Sequence, residues 1–167
     1  MAERSLRVDQ FDPNDTVVSF DRRQSPVAAE LQRGICRALR ARGHAVVTEL
    51  SLSNGRRADV VSLTPGGEIW IVEIKSCLID FQTDGKWPEY RPYCDRLYFG
   101  VAADFPCDVL PAEAGLVLAD RFGAEIVREP LEERLNAARR KAMLLAFARS
   151  SALRLQWHLD PGCGALD

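Results

Sequence analysis

An apolar stretch ending in Glu-x-Lys, Glu68-Ile-Trp-Ile-Val-Glu-Ile-Lys75, leaves this chain few folds to choose from. A short apolar run bounded by turn residues reads as a strand buried on both faces. Thr64-Pro65-Gly66-Gly67 supplies the turn before it. Side chains in a strand alternate between faces. Ile69, Ile71, Glu73 and Lys75 therefore share one face, and Trp70, Val72 and Ile74 share the other. A carboxylate and an ammonium thus follow two isoleucines. Burying that pair is costly without compensation, which a metal ion or a substrate phosphate can supply. The bland alternative is an exposed pair at a strand end, worth little.

The neighbouring segments give this strand its partners. Residues 45–52 and 56–63 read as two strands joined at Asn54-Gly55, a two-residue hairpin signal. A second hairpin, between 56–63 and 68–75, brings Asp59 beside Glu73. Upstream, residues 26–42 read as a helix. Ser25 is its N-cap, Pro26 its first position and Gly43 its stop. Val27, Leu31, Ile35 and Leu39 form its apolar stripe, with Glu30 at the edge. Residues 76–95 are a long polar and aromatic connection with a short helix near 87–93. Strands follow at 97–101, 116–119 and 125–127, and a helix at 131–148. Residues 1–24 read as an irregular arm, 25–159 as one domain and 160–167 as a flexible tail.

Two carboxylates converging on one point make a hard-oxygen site suited to Mg²⁺ or Mn²⁺. Such an ion polarises a phosphoryl oxygen and helps deprotonate a water. Lys75 beside Glu73 can stabilise transition-state charge or orient that water. Glu30 can complete the shell through a water or a second metal. Asp59, Glu73, Lys75 and Glu30 are thus the candidate catalytic residues, with Asp59 and Glu73 as metal ligands. No Walker loop, GxGxxG or Gly-x-Ser-x-Gly occurs, so nucleotide, dinucleotide and serine-hydrolase readings find no support.

Bulk properties narrow the partners. The chain has 167 residues and a net charge of −2. A DNA-binding domain is usually basic, so any DNA contact has to come from a local patch. Arg22-Arg23, Arg56-Arg57, Lys75, Lys86, Arg91 and Arg139-Arg140-Lys141 are the candidates, each more often a solvated charge than a contact. No run of about 18 apolar residues predicts a membrane span. The N-terminus lacks a secretory apolar stretch, so a cytoplasmic protein is expected. Five cysteines without a CxxC pair argue against a disulfide framework or a structural zinc site and for reduced, mostly buried thiols.

The order helix with Glu, hairpin, Asp, Glu-x-Lys resembles the signature of the PD-(D/E)XK nucleases. Ala58-Asp59 stands where the strict pattern has Pro-Asp. The resemblance implies an α/β restriction-endonuclease-like fold: an αβββαβ core with a central mixed sheet flanked by helices. The stretch Val72-Glu-Ile-Lys-Ser-Cys-Leu-Ile-Asp-Phe-Gln-Thr-Asp-Gly-Lys-Trp-Pro-Glu-Tyr90 and then Cys94-Asp-Arg-Leu-Tyr-Phe99 is similar to the bacterial MmcB-like DNA-repair proteins. That likeness runs over about residues 26–118. It implies a role in repair of DNA damage, crosslink-type lesions included, on damaged or branched DNA. The leading expectation is a Mg²⁺- or Mn²⁺-dependent endonuclease. The alternatives are a DNA-damage-binding module without catalysis and a protein-interaction scaffold. Pairing of two copies would join two small basic patches into one.

In the same resemblance Asp80, Asp84, Lys86, Trp87 and Tyr90 look like an insert beside the active site. Arg57, Lys86 and Arg91 are candidate phosphate contacts. Trp87 or Tyr90 can stack on an unpaired base, or instead anchor the loop in the core. Asp84 can cap the short helix.

Overall fold

A computed structural model describes residues 25–83 and 85–162. The expected arm (1–24), the end of the expected tail (163–167) and the capping role of Asp84 lie outside the described residues. The helix α1 (Pro26–Ala41) starts as its sequence dictates. Ser25 Oγ accepts the Ala28 N–H at 3.1 Å, and Gly43 ends the helix at φ +82°, a conformation that costs glycine nothing.

Six strands follow in one sheet: β1 (Ala45–Ser51), β2 (Arg57–Leu63), β3 (Ile69–Lys75), β4 (Arg96–Val101), β5 (Gly115–Ala119) and β6 (Ala124–Arg128). They lie side by side in sequence order. β1–β2, β2–β3 and β5–β6 are antiparallel; β3–β4 and β4–β5 are parallel. The short helix α2 (Leu78–Thr83) and a 3₁₀ segment (Trp87–Tyr93) carry the β3–β4 crossover. The final helix is α3 (Ala137–Leu159). This is the expected α/β class, a mixed sheet with flanking helices, and it is consistent with a restriction-endonuclease-like core.

Two local expectations need correction. The β1–β2 turn is not a two-residue hairpin. Leu52 N–H donates to Arg56 O at 2.7 Å and Gly55 N–H to Leu52 O at 3.0 Å. The loop is therefore Ser53-Asn54-Gly55, with Gly55 at φ +78°, the left-handed position that three-residue hairpins place last. The cross-strand partners shift by one residue as a result.

The last helix also begins later and runs further than 131–148. The backbone before it is used elsewhere: Leu131 N–H donates to Glu113 O at 3.1 Å and Glu133 N–H to Asp95 O at 2.9 Å. Leu135 N–H donates to the Asp95 carboxylate at 2.9 Å. Asn136 then caps α3 by accepting the Arg139 N–H at 2.8 Å. Ser151 lies inside the helix, where its hydroxyl donates to Phe147 O at 2.8 Å.

Each face of the sheet has its own cover. Leu31, Ile35 and Leu39 of α1 pack on Val60, Val72, Tyr98 and Val117. Met143 of α3 and Tyr90 and Tyr93 of the 3₁₀ segment pack on Val61, Ile71 and Leu97. Phe99, Val101, Phe105, Leu110 and Leu116 close the remaining part. β3 is buried on both faces, as its composition predicts. α3 is pinned by a buried ion pair. Asp95 is 1% exposed, and both its oxygens accept from the Arg140 guanidinium, at 2.6 and 2.9 Å.

Candidate functional site

The β2–β3 ladder runs from Leu63↔Ile69 to Val60↔Val72 and stops. One more step would set Asp59 against Glu73. There the strands part, and side chains take over from backbone. The Asp59 N–H donates to Glu73 Oε1 at 3.3 Å, and the Ile74 N–H donates to Asp59 Oδ2 at 2.8 Å. The two carboxylates are thus oriented by each other's strand, at the fork where β2 leaves β3. β3 itself continues along β4 to Lys75↔Val101.

Burial makes this fork electrostatically unusual. Glu73 is 3% exposed and Lys75 5%. Burial pushes the Asp59 carboxyl up to about 6; the Ile74 amide opposes that, Glu49 adds to it, and Lys75 and Arg57 oppose it. Asp59 is therefore poised to gain or lose its proton just below neutrality, and the Lys75 charge acts directly on it.

Glu49 is a site residue that sequence reasoning missed. Thr48↔Val60 and Leu50↔Ala58 flank it, so it lies across from Asp59. Its φ is +52°, in the left-handed region, a strained state for a strand-interior glutamate. Three elements hold it there. Gln32 Nε2 of α1 donates to Glu49 Oε1 at 3.2 Å, Arg57 Nε of β2 meets Oε2 at 2.6 Å, and Arg154 Nη2 of α3 donates to its carbonyl at 3.2 Å. A three-residue reading of the turn at Gly55 would have revealed the pairing, since it moves Glu49 opposite Asp59.

Glu30 is not brought to the carboxylates. It is exposed, and among the described residues its carboxylate makes no hydrogen bond or ion pair. At about 100° per residue, Glu30 lies roughly 200° around α1 from Gln32. Gln32 is the residue that reaches the site, donating also to Asp59 O at 3.2 Å. Glu30 falls instead on the flank of Arg37, which donates to Arg121 O near the β5–β6 turn.

The candidate DNA contacts fare unevenly. Arg57 is ion-paired with Glu49 beside the site. Lys86 is exposed at the start of the 3₁₀ segment. Arg91 is drawn to Glu133, whose N–H bonds Asp95 O at the end of the sheet where β4 begins. Glu73 and Lys75 end β3 at the opposite side, about 13 and 20 Å away for four and six residues of strand. Tyr90 is buried, with its hydroxyl on Arg57 O at 3.3 Å, and Trp87 packs edge-on against Phe99 at 5.9 Å. Both anchor the crossover in the core rather than offering a face to a base.

Most of the expected basic patch is likewise engaged. Arg56 clasps Glu89 through two bonds of 2.8 Å, and Arg139 covers the Tyr93 ring at 4.7 Å. Arg22-Arg23 lie outside the described residues. The four described cysteines are free thiols; Cys94 is buried and Cys77 exposed.

Among the described residues no three His, Cys, Asp or Glu side chains are grouped to hold a metal. Two adjacent carboxylates nevertheless fit the way Mg²⁺ is often held, through one or two carboxylates with waters and substrate phosphate completing the shell. No helix among the described residues is long and apolar enough to cross a membrane.

Comparison with known proteins extends the likeness beyond residues 26–118. The family described as "DNA repair protein MmcB-like" matches residues 15–162. No curated protein matches. Among solved structures, the SPO1766 protein of unknown function from Silicibacter pomeroyi is similar at 45% identity and a TM-score of 0.82. The alignment covers 86% of this chain and 99% of that one.

Proposed function

The chain belongs to the MmcB-like DNA repair protein family, and on that footing we propose that it is a metal-dependent deoxyribonuclease of the PD-(D/E)XK type. The observation that carries this reading is the fork itself. Asp59 and Glu73 are fixed by each other's strands, and a buried lysine lies two residues on from Glu73. A fold that only needed to be stable would gain little from burying these charges. Asp59 and Glu73 would hold Mg²⁺ or Mn²⁺, which would polarise the scissile phosphate and acidify a water. Lys75 would meet charge developing on the phosphoryl oxygens. Gln32 and Arg57 would hold Glu49 in place behind Asp59. DNA, damaged or branched, is the proposed substrate.

A site for phosphodiester hydrolysis differs from a plain binding surface in needing acids. The arginines that a binding module would present are largely paired with Glu49, Glu89, Glu133 and Asp95, which favours the enzyme. The test is cleavage of labelled duplex, flap, junction and single-stranded DNA with Mg²⁺ or Mn²⁺. Wild type should cut at least one substrate, and Asp59→Asn and Lys75→Met should each lose about 10²-fold or more. DNA binding without cutting, unchanged in both variants, would refute the nuclease.

A further inference from the structure

α3 carries a second apolar stripe that the fold does not use. Its core side is marked by Met143 and Phe147 and by Arg154, which reaches Glu49. Roughly 160° around the helix, at about 100° per residue, lie Lys141, Leu145, Ala148, Ala152, Leu155 and Leu159. All six are exposed; the leucines are 54%, 59% and 70% exposed. Their spacing is 4, 3, 4, 3, 4, the alternation of a coiled-coil seam. Leu144, Leu153 and Trp157 are also exposed on the flanks of α3, but this stripe is the continuous one, and a continuous apolar stripe left uncovered is half of an interface.

The seam is also its own complement. Run antiparallel against itself about a point near residue 150, it sets Ala148 against the partner's Ala152 and Leu145 against the partner's Leu155. The small residues meet at the centre, where two backbones can approach closely, and the leucines flank them. The single charge is accommodated in this direction only. Lys141 meets the last turn of the partner's α3, where free carbonyls and the partner's Asp160 are negative. A parallel pair would oppose Lys141 to the partner's Lys141.

We propose that two copies of this chain associate through an antiparallel, two-fold pairing of α3 along Leu145, Ala148, Ala152 and Leu155. The seam spans about 27 Å of helix. Such a pair buries roughly 1,000 Å², the lower end for a specific interface. Arg154 stands four residues from the dyad, about 6 Å of helix rise. The dimer therefore sets the two Asp59–Glu73 forks on either side of the two-fold axis.

Sedimentation velocity on the full chain over a concentration series tests this. Wild type should move from monomer to dimer. Ala148→Lys and Ala152→Glu, at exposed positions, should keep their melting curves and each weaken association about tenfold or more. An equimolar mixture should recover it, because the new lysine then faces the new glutamate of the other copy. A wild type that stays monomeric overturns the proposal, and so do variants that dimerise as well as wild type. Failure of the mixture to recover overturns the antiparallel register. A monomer whose Ala148→Cys variant resists thiol labelling at that position would assign the face to another segment, such as residues 1–24, and overturn it too.

Discussion

Replacing Asp59 by Asn should make the metal-free protein more stable near neutral pH while destroying its proposed activity. Burial and the Glu49 charge raise the Asp59 carboxyl from an ordinary 3.8 to about 6, against the pull of the Ile74 amide, Lys75 and Arg57. A carboxyl whose folded pKa is raised holds its proton more tightly when folded. Its contribution to stability is therefore full below the unfolded value and is lost as pH rises through the folded one. A shift of about two pH units corresponds to roughly 3 kcal/mol of penalty above pH 7, at about 1.4 kcal/mol per unit.

Asparagine cannot ionise and escapes that penalty. It still accepts the Ile74 N–H, though the loss of the charged acceptor costs about 1 kcal/mol. The net gain is about 2 kcal/mol near pH 7.5, or roughly 5–8 °C in melting temperature for a domain of this size. Near pH 4 the gain should nearly vanish, because folded wild-type Asp59 is then protonated and the unfolded carboxyl, close to its ordinary midpoint of 3.8, is charged only about half the time. Thermal melts of both proteins at the two pH values, with chelator present, decide the matter. Equal destabilisation at both pH values would refute the electrostatic reasoning. Adding Mg²⁺ to about ten times its dissociation constant should raise wild-type stability by about 1.4 kcal/mol and leave Asp59→Asn unmoved.

Three further outcomes are expected. Lys75→Met removes the cation that lowers the Asp59 carboxyl, so the Asp59 midpoint, followed by carboxyl NMR, should rise above its wild-type value of about 6; an unchanged midpoint would deny that charge interaction. Arg140→Ala strands the buried Asp95 and should cost about 3–5 kcal/mol in urea unfolding. Burial raises the Asp95 carboxyl, but Arg140 and the Ile69 and Leu135 amides outweigh it and hold it low. Wild type should therefore lose stability as acid protonates Asp95 below about pH 4, and the variant should lose less over that range. Gly34→Ala should cost about 2–3 kcal/mol by overpacking, since its Cβ would sit 1.8 Å from Asp120 O, whereas Gly66→Ala, with its nearest atom at 3.7 Å, should be nearly neutral.

Local chemistry was enough to read much of this protein from its residues. Ser25, Pro26 and Gly43 bound a helix by hydrogen bonds and backbone angles that reach no further than four residues. The alternation along Ile69–Lys75 sets Glu73 and Lys75 on one face wherever that strand lies. Asp59 joined them because a tight turn leaves β2 few other places to go. The rest rests on partners far away in the chain. Whether Asp59 faces Glu49 or Leu50 depends on one residue in a turn, and whether Glu49 can hold φ +52° depends on Gln32, Arg57 and Arg154, the last 105 residues away. Which flank of α1 meets the site depends on how the helix lies across the sheet, and that placed Gln32 there instead of Glu30. The basic residues look alike in sequence, but burial and nearby acids assign Arg56, Arg91 and Arg140 to ion pairs. Asp95 claims the Leu135 amide, and α3 therefore begins at Ala137. Periodicity and propensity describe a residue's neighbours along the chain, while charge pairing, register and helix placement are settled by neighbours in space.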